Sequence, residues 1–155
     1  MLARKLRDFN IKNPTKKQYT KAQHKKARWC TALERRMWNH ELPDAEQYTI
    51  HEHREARGCN ANEIRWWNYE LPKAKQYTKL QHSKAKNCNA REILWWNLLL
   101  PDAKQYTKLE HSRAKDCNAH EMRQWNHELP NAEQYTVTEY NKIKGSDIYK
   151  CLGGI

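Results

Sequence analysis

The sequence predicts an all-α protein, an α-solenoid of tandem helix-turn-helix units. Three observations predict it. Cys30, Cys59, Cys88 and Cys117 stand 29 residues apart, as do Trp38, Trp67, Trp96 and Trp125 and also Tyr48, Tyr77, Tyr106 and Tyr135. Nothing is inserted or lost between copies, and a fixed period in this range marks an array in which each unit covers its neighbour's open face. Every period also carries two helix-start signals and a Leu-Pro stop. Finally, only 38% of the 155 residues are hydrophobic and the mean hydropathy is −1.19, so the core is thin and distributed.

The chain opens with a lone second helix. Pro14 is the counterpart of Pro43, which sets Ala3, Leu6 and Phe9 where Ala32, Arg35 and Trp38 stand, so residues 1–17 are expected to form an N-terminal cap. The opening MLARKLRDF is basic and mildly amphipathic, as organelle-targeting peptides are, but it contains Asp8 and keeps the repeat frame. Four units follow at 18–46, 47–75, 76–104 and 105–133. In each, the first helix begins at a threonine: Thr20 with Gln23, Thr49 with Glu52, Thr78 with Gln81 and Thr107 with Glu110 are capping boxes, in which hydroxyl and carboxylate or amide satisfy free N–H groups. Its buried face in the third unit is expected to comprise Tyr77, Leu80, Ala85 and Cys88.

Second helices begin at Thr31 with Glu34, Asn60 with Glu63, Asn89 with Glu92 and Asn118 with Glu121. They end at Leu-Pro, because proline restricts the residue before it and cannot extend the hydrogen-bond ladder. Ala90, Ile93, Trp96 and Leu100 recur at helical spacing in one of them. Asn39, Asn68, Asn97 and Asn126 directly follow the aligned tryptophans and predict a ladder of amides capping the backbone before each Leu-Pro turn. Thr136 with Glu139 starts a fifth first helix. Residues 134–155 then degenerate, with Ser146 and Asp147 replacing the asparagine box. Helices of about ten residues are marginal alone, so the stack, not the single unit, is expected to be stable.

A formal charge of +11 points to a polyanionic partner. The excess is lopsided, since residues 1–30 carry ten Lys or Arg against Asp8 alone. An aligned basic row is expected on the first helices: Lys26 and Arg28, Arg57, Lys84 and Lys86, Arg113 and Lys115, Lys142 and Lys144. Such a stripe suits a phosphate backbone, whose contacts supply affinity without sequence information. The competing structural reading is that lysines near helix C-termini complement the macrodipole.

No apolar run is long enough to span a bilayer. Five cysteines, four of them at one repeat position, point to a reducing intracellular compartment, cytoplasmic or organellar, rather than to a disulfide framework. His24, His53, His82 and His111 each precede a cysteine by six residues, which raises zinc. Without a C-x-x-C or H-x-x-x-H pair, a small buried thiol is the preferred reading, and neither metal nor cofactor is expected. Catalysis is not expected either, since the chain has no glycine-rich phosphate loop and no nucleophile-base pair outside the repeat. Trp67 and Trp96 are read as core. Trp66 and Trp95 beside them cover a neighbouring groove or offer stacking surfaces.

Written from its proline, the third unit is PDAKQYTKLQHSKAKNCNAREILWWNLLL. Its frame P-[DN]-A-x-x-Y-T (P-K-A in one copy), the late basic residue of its first helix and the leucine closing its second resemble the pentatricopeptide repeat, a helix-turn-helix module that stacks into right-handed RNA-binding superhelices. The resemblance implies that the threonine opening a first helix and the closing residue of the same repeat read one base together. The pairs are Thr20 with Asp44, Thr49 with Lys73, Thr78 with Asp102 and Thr107 with Asn131, giving guanine, unassigned, guanine and adenine from 5′ to 3′. The expected function is sequence-tolerant or modular binding of single-stranded RNA by a monomer. The alternative is a scaffold that takes an acidic peptide or a partner helix on the same face.

Overall fold

The structure, a computed structural model, describes residues 1–143. It is an all-α helical-repeat solenoid, and no β-strand forms among the described residues. Two compact units divide the chain, Met1–Tyr77 and Thr78–Ile155. The first holds α1 (Ala3–Lys12), α2 (Lys21–Lys26), α3 (Ala32–Glu41), α4 (Ile50–Glu55) and α5 (Ala61–Glu70). Within it α1 packs on α2 and α3, and α3 packs on α4 and α5. The second unit holds α6 (Lys79–Lys84), α7 (Ala90–Leu99), α8 (Lys108–Ser112) and α9 (Ala119–Glu128), then helical residues 137–143. Here α7 packs on both α8 and α9. Ser146 and Asp147 lie outside the described residues.

Both helix-start signals act as the sequence predicts. Thr20, Thr49, Thr78 and Thr107 each accept the N3 backbone N–H while the N3 side chain accepts the threonine's own N–H, closing four capping boxes. Thr31, Asn60, Asn89 and Asn118 cap the second helices. The lone α1 buries Ala3 and Leu6, as the frame requires of a cap.

The first helices are shorter than the spacing predicts, at six residues or five. Their end has an inter-repeat cause. Ala27, Ala56 and Ala85 turn the chain extended, and a residue in the left-handed region follows two positions later: Trp29, Gly58 and Asn87, with Asp116 in the same place of the fourth copy. Between them sits a residue whose carbonyl accepts the first helical N–H of a neighbouring second helix. Ala3 donates to Arg28, Ala32 to Arg57 and Ala90 to Lys115, each at 2.9 Å. Those amides are orphans of the helix start and would otherwise lack a partner.

Two expectations are corrected here. Arg28, Arg57, Lys86, Arg113 and Lys115 lie in the turns after the first helices, not on them. Leu80 is 61% exposed, because so short a helix buries one position only, and that position belongs to the histidine.

The core is a lattice repeated in every copy. His24, His53, His82 and His111 are fully buried, as are Trp38, Trp67, Trp96 and Trp125. The ring of His24 lies 4.5 Å from that of Trp38, and Tyr48 meets Trp38 edge-on at 6.3 Å. Burying one tryptophan of roughly 200 Å² contributes about 5 kcal/mol. The asparagine ladder exists, with a different partner. Asn39 Nδ2 donates to the Tyr48 carbonyl at 2.9 Å and Oδ1 accepts the Tyr48 N–H at 2.8 Å, so the amide grips the backbone beyond the Leu-Pro turn. The C-terminal carbonyls are instead met by the following glutamine: Gln47 Nε2 donates to Leu42 at 2.8 Å and Ala45 at 2.9 Å.

Candidate nucleic-acid interface

Grooves open between successive Leu-Pro turns, where the stacked second helices end and the first helices begin. Thr20 and Asp44 line one of about 540 Å³ with Tyr19, Lys21 and Pro43. Thr49 and Lys73 line a larger one of about 1020 Å³ with Ile50, Trp67 and Pro72. In the second unit Thr107 and Asn131 share a groove of about 550 Å³. Three of the four pairs implied by the resemblance are thus brought together. Of the fourth pair, Thr78 caps α6 and Asp102 is exposed in the turn after α7.

The basic row lies at the opposite end of the first helices. A six-residue helix rises about 9 Å, which separates Lys26 from the groove that Thr20 lines. Lys26 and Lys84 are the last residues of α2 and α6, and Arg113 is the C-cap of α8. Arg28, Arg57, Lys86 and Lys115 hold one position in all four turns, immediately before the left-handed residue. All seven are exposed, as is Lys142, and none forms an ion pair with a described residue. Lys144 lies outside the described residues.

Other repeated cations behave differently. Lys21, Lys79 and Lys108 reach Glu52, Glu110 and Glu139 of the following copy at 2.9, 2.9 and 3.0 Å. Burial pushes the Glu52 carboxyl up, but the Thr49 amide together with Lys21 and Lys25 holds it down at about 2.

The histidines and cysteines form a buried relay rather than an open site. His24 Nδ1 lies 2.5 Å from the Tyr48 hydroxyl, Nε2 lies 3.2 Å from Glu34, and Cys30 Sγ sits 3.6 Å from Nδ1. The same His-Tyr and Cys-His contacts recur at His53, His82 and His111. Burial raises the Cys59 and Cys117 thiols and pushes Cys88 up to about 11. Cys30 alone is lowered: burial acts upward there too, but hydrogen bonds to His24, Tyr48 and Arg35 outweigh it. Arg35 stands where the other copies have Ile64, Ile93 and Met122. Among the described residues no three or more His, Cys, Asp or Glu side chains gather as a metal site.

Trp66 is half-buried, with the guanidinium carbons of Arg65 and Arg36 at 5.2 and 5.9 Å from its ring; Trp95 is partly exposed. Sequence reasoning passed over one further aromatic. Trp29 is 61% exposed in the first turn of the basic row. The signal was its place on the 29-residue grid, where the later copies have Gly58, Asn87 and Asp116.

Fold and lattice together define a tandem helical-repeat protein built on a 29-residue unit with recurring His, Tyr, Cys and Asn. Comparison with known family models, with curated proteins and with solved structures finds no match for the chain. No described helix is long and apolar enough to cross a membrane.

Proposed function

We propose that the chain binds single-stranded RNA, as a monomer without chemistry of its own, along the cations that line its turns. The observation that carries this reading is the row Arg28, Arg57, Lys86 and Lys115, exposed at one fixed position of each copy and without an ion pair to a described residue. A dipole-complementing role fits these four poorly, because they stand beyond the helix ends. Lys21, Lys79 and Lys108, at another repeated position, are paired with glutamates, whereas the four turn cations are left open, and open cations suit a phosphate backbone. The basic N-terminal thirty residues extend the same attraction.

The pentatricopeptide resemblance adds a modular component. Thr20 with Asp44, Thr78 with Asp102 and Thr107 with Asn131 would favour guanine, guanine and adenine, with Thr49 and Lys73 tolerant between the first two. Grooves holding three of these pairs support that component.

The experiment is selection from random single-stranded RNA at about 0.15 M salt, with single-stranded and duplex DNA as controls. Enrichment of guanine two places upstream of a G-A step supports the modular reading. Tight but sequence-blind binding keeps the phosphate track alone. Binding no stronger than that of a basic control protein contradicts both. A protein partner is the second reading, favoured by Leu80 and Leu109, which stand at one register position of α6 and α8 and are 61% and 54% exposed.

A further inference from the structure

Four turns share one backbone conformation, and one of them holds a residue of the wrong type for it. Gly58, Asn87 and Asp116 adopt φ of 84°, 67° and 64°, in the left-handed region that glycine, asparagine and aspartate tolerate. Trp29 adopts φ 62° in the same place, a conformation disfavoured for a bulky aromatic. The preceding residue is held by both its backbone groups: Arg28 N–H donates to the Met1 carbonyl at 3.3 Å, and the Arg28 carbonyl accepts from Ala3 at 2.9 Å. Burial does not offset the disfavoured conformation, since most of the Trp29 side chain faces solvent. At the equivalent Gly58 an added β-carbon would meet no atom within 4 Å, so this turn position projects its side chain into open space. Strained, exposed residues of this kind concentrate at ligand contacts.

The surroundings name the ligand chemistry. The guanidinium carbon of Arg57 lies over the Trp29 ring, 5.7 Å from its centre, and the exposed Lys26 and Arg28 shortly precede Trp29 in the chain. We propose that Trp29 is a stacking platform for one nucleobase of a single strand, with Arg57 over one face of the ring, the base on the other, and Lys26 and Arg28 holding the adjoining phosphates. This rests on the RNA reading above and places an anchor at one end of the cation row. A π-face accepts every base, so the platform adds affinity and little sequence preference. The other three turns carry no aromatic, so one nucleotide is held this way and the rest by charge.

The test uses the full chain with Trp29→Gly and Trp29→Asn, which put into this turn the residue types the later copies already use. Single-stranded RNA affinity is expected to fall roughly 5-fold to 100-fold, the range of one lost base stack. The salt dependence of binding should not change, because no charge is removed. Thermal stability should hold or rise, as the backbone strain is relieved. The wild-type preference for an oligoribonucleotide over an abasic ribose-phosphate chain of equal length should shrink in both variants. Unchanged RNA affinity, or equal losses for RNA and the abasic chain, overturns the platform while leaving the RNA reading intact. A wild-type chain that binds no single strand overturns both, and a poly-glutamate peptide bound in place of RNA and weakened by Trp29→Gly reassigns the residue to a protein contact.

Discussion

The two compact units share one apolar lattice but differ in how they satisfy its buried charges. In Met1–Tyr77, Arg7 grips both oxygens of Glu34 at 2.5 and 3.3 Å and reaches Glu41 at 3.0 Å. Arg36 repeats the grip on Glu63 at 2.5 and 3.1 Å and reaches Glu70 at 2.8 Å. In the second unit that position holds Leu94 and then Arg123, so the arginine that would face Glu121 is replaced by leucine. Glu121 is then met by Arg91 at 3.2 Å, from a largely exposed side chain, and its Oε2 has no hydrogen-bond partner among the described residues. His111 Nε2 likewise has none, as has His53 Nε2 in the first unit.

The consequence is electrostatic. Burial pushes His24 down, yet hydrogen bonds to Cys30 and Glu34 outweigh it and its pKa is raised. Burial alone acts on His111 and pushes it down to about 4. The same lattice position is thus held toward the charged form at His24 and toward the neutral form at His111, and burial also lowers His53 within the first unit. The 29-residue frame therefore fixes packing, while the charge network is set copy by copy.

The largest expected effect comes from breaking the satisfied network. Arg36→Met should leave the buried Glu63 carboxylate with only His53, at 3.5 Å, in place of its bidentate partner and cost about 3–5 kcal/mol, read as a lower urea midpoint. A loss below about 1 kcal/mol would show that the bidentate pair does not distinguish the units.

Acid should act on the copies whose histidine is held neutral, His111 in the second unit and His53 in the first. His111 binds its proton at about 4 when folded and near 6.5 when unfolded, so its contribution is complete above 6.5 and is lost as pH falls toward 4. The loss is roughly 3 kcal/mol. For His24 the sign reverses: with the folded value raised, its contribution is complete below 6.5 and is lost as pH rises from there through the folded value. Glu34 is held low by His24 and Arg7 against burial, so its share goes only below the ordinary carboxylate range of about 4.5. An NMR titration of the imidazole C–H signals should place His24 above 6.5 and His111 well below. Coincident values would erase the contrast between the copies.

The smallest expected effect is a repair. Leu94→Arg restores the residue type of Arg7 and Arg36 opposite Glu121, and a charged hydrogen bond gained against lost leucine packing should raise stability by about 1 kcal/mol. Denaturant unfolding of this variant beside the wild type checks the gain, and destabilisation would mean that the second unit is built for an apolar residue there.

Much of the architecture was legible because it depends on local chemistry. Capping boxes, the Leu-Pro stops and the lone α1 follow from residues within one turn of each other, and they lie where the spacing puts them. What escaped depends on contacts between copies. The first helices end early because the Arg28, Arg57 and Lys115 carbonyls reach a neighbouring copy, and the left-handed residue this demands is Trp, Gly, Asn or Asp in turn, which shows no common type. His24 reads as polar until Tyr48, 24 residues on, closes over it at 2.5 Å. Asn39 reads as a local cap until the chain returns at Tyr48. For the candidate site, the identities of the basic row were legible but not their placement in turns. The pairing of each threonine with a closing residue came from the resemblance alone.

The most direct measurement is the salt dependence of single-stranded RNA binding by the wild type and by the combined variant Arg28→Gln, Arg57→Gln, Lys86→Gln and Lys115→Gln. These side chains form no ion pair among the described residues, and the backbone carbonyls that fix the turns are retained, so the fold should persist. The expected result is weaker binding to every RNA alike, with the slope of log K against log salt reduced by about 0.7 per lost cation, roughly 3 in all. An unchanged slope at unchanged affinity would contradict a phosphate track along these turns.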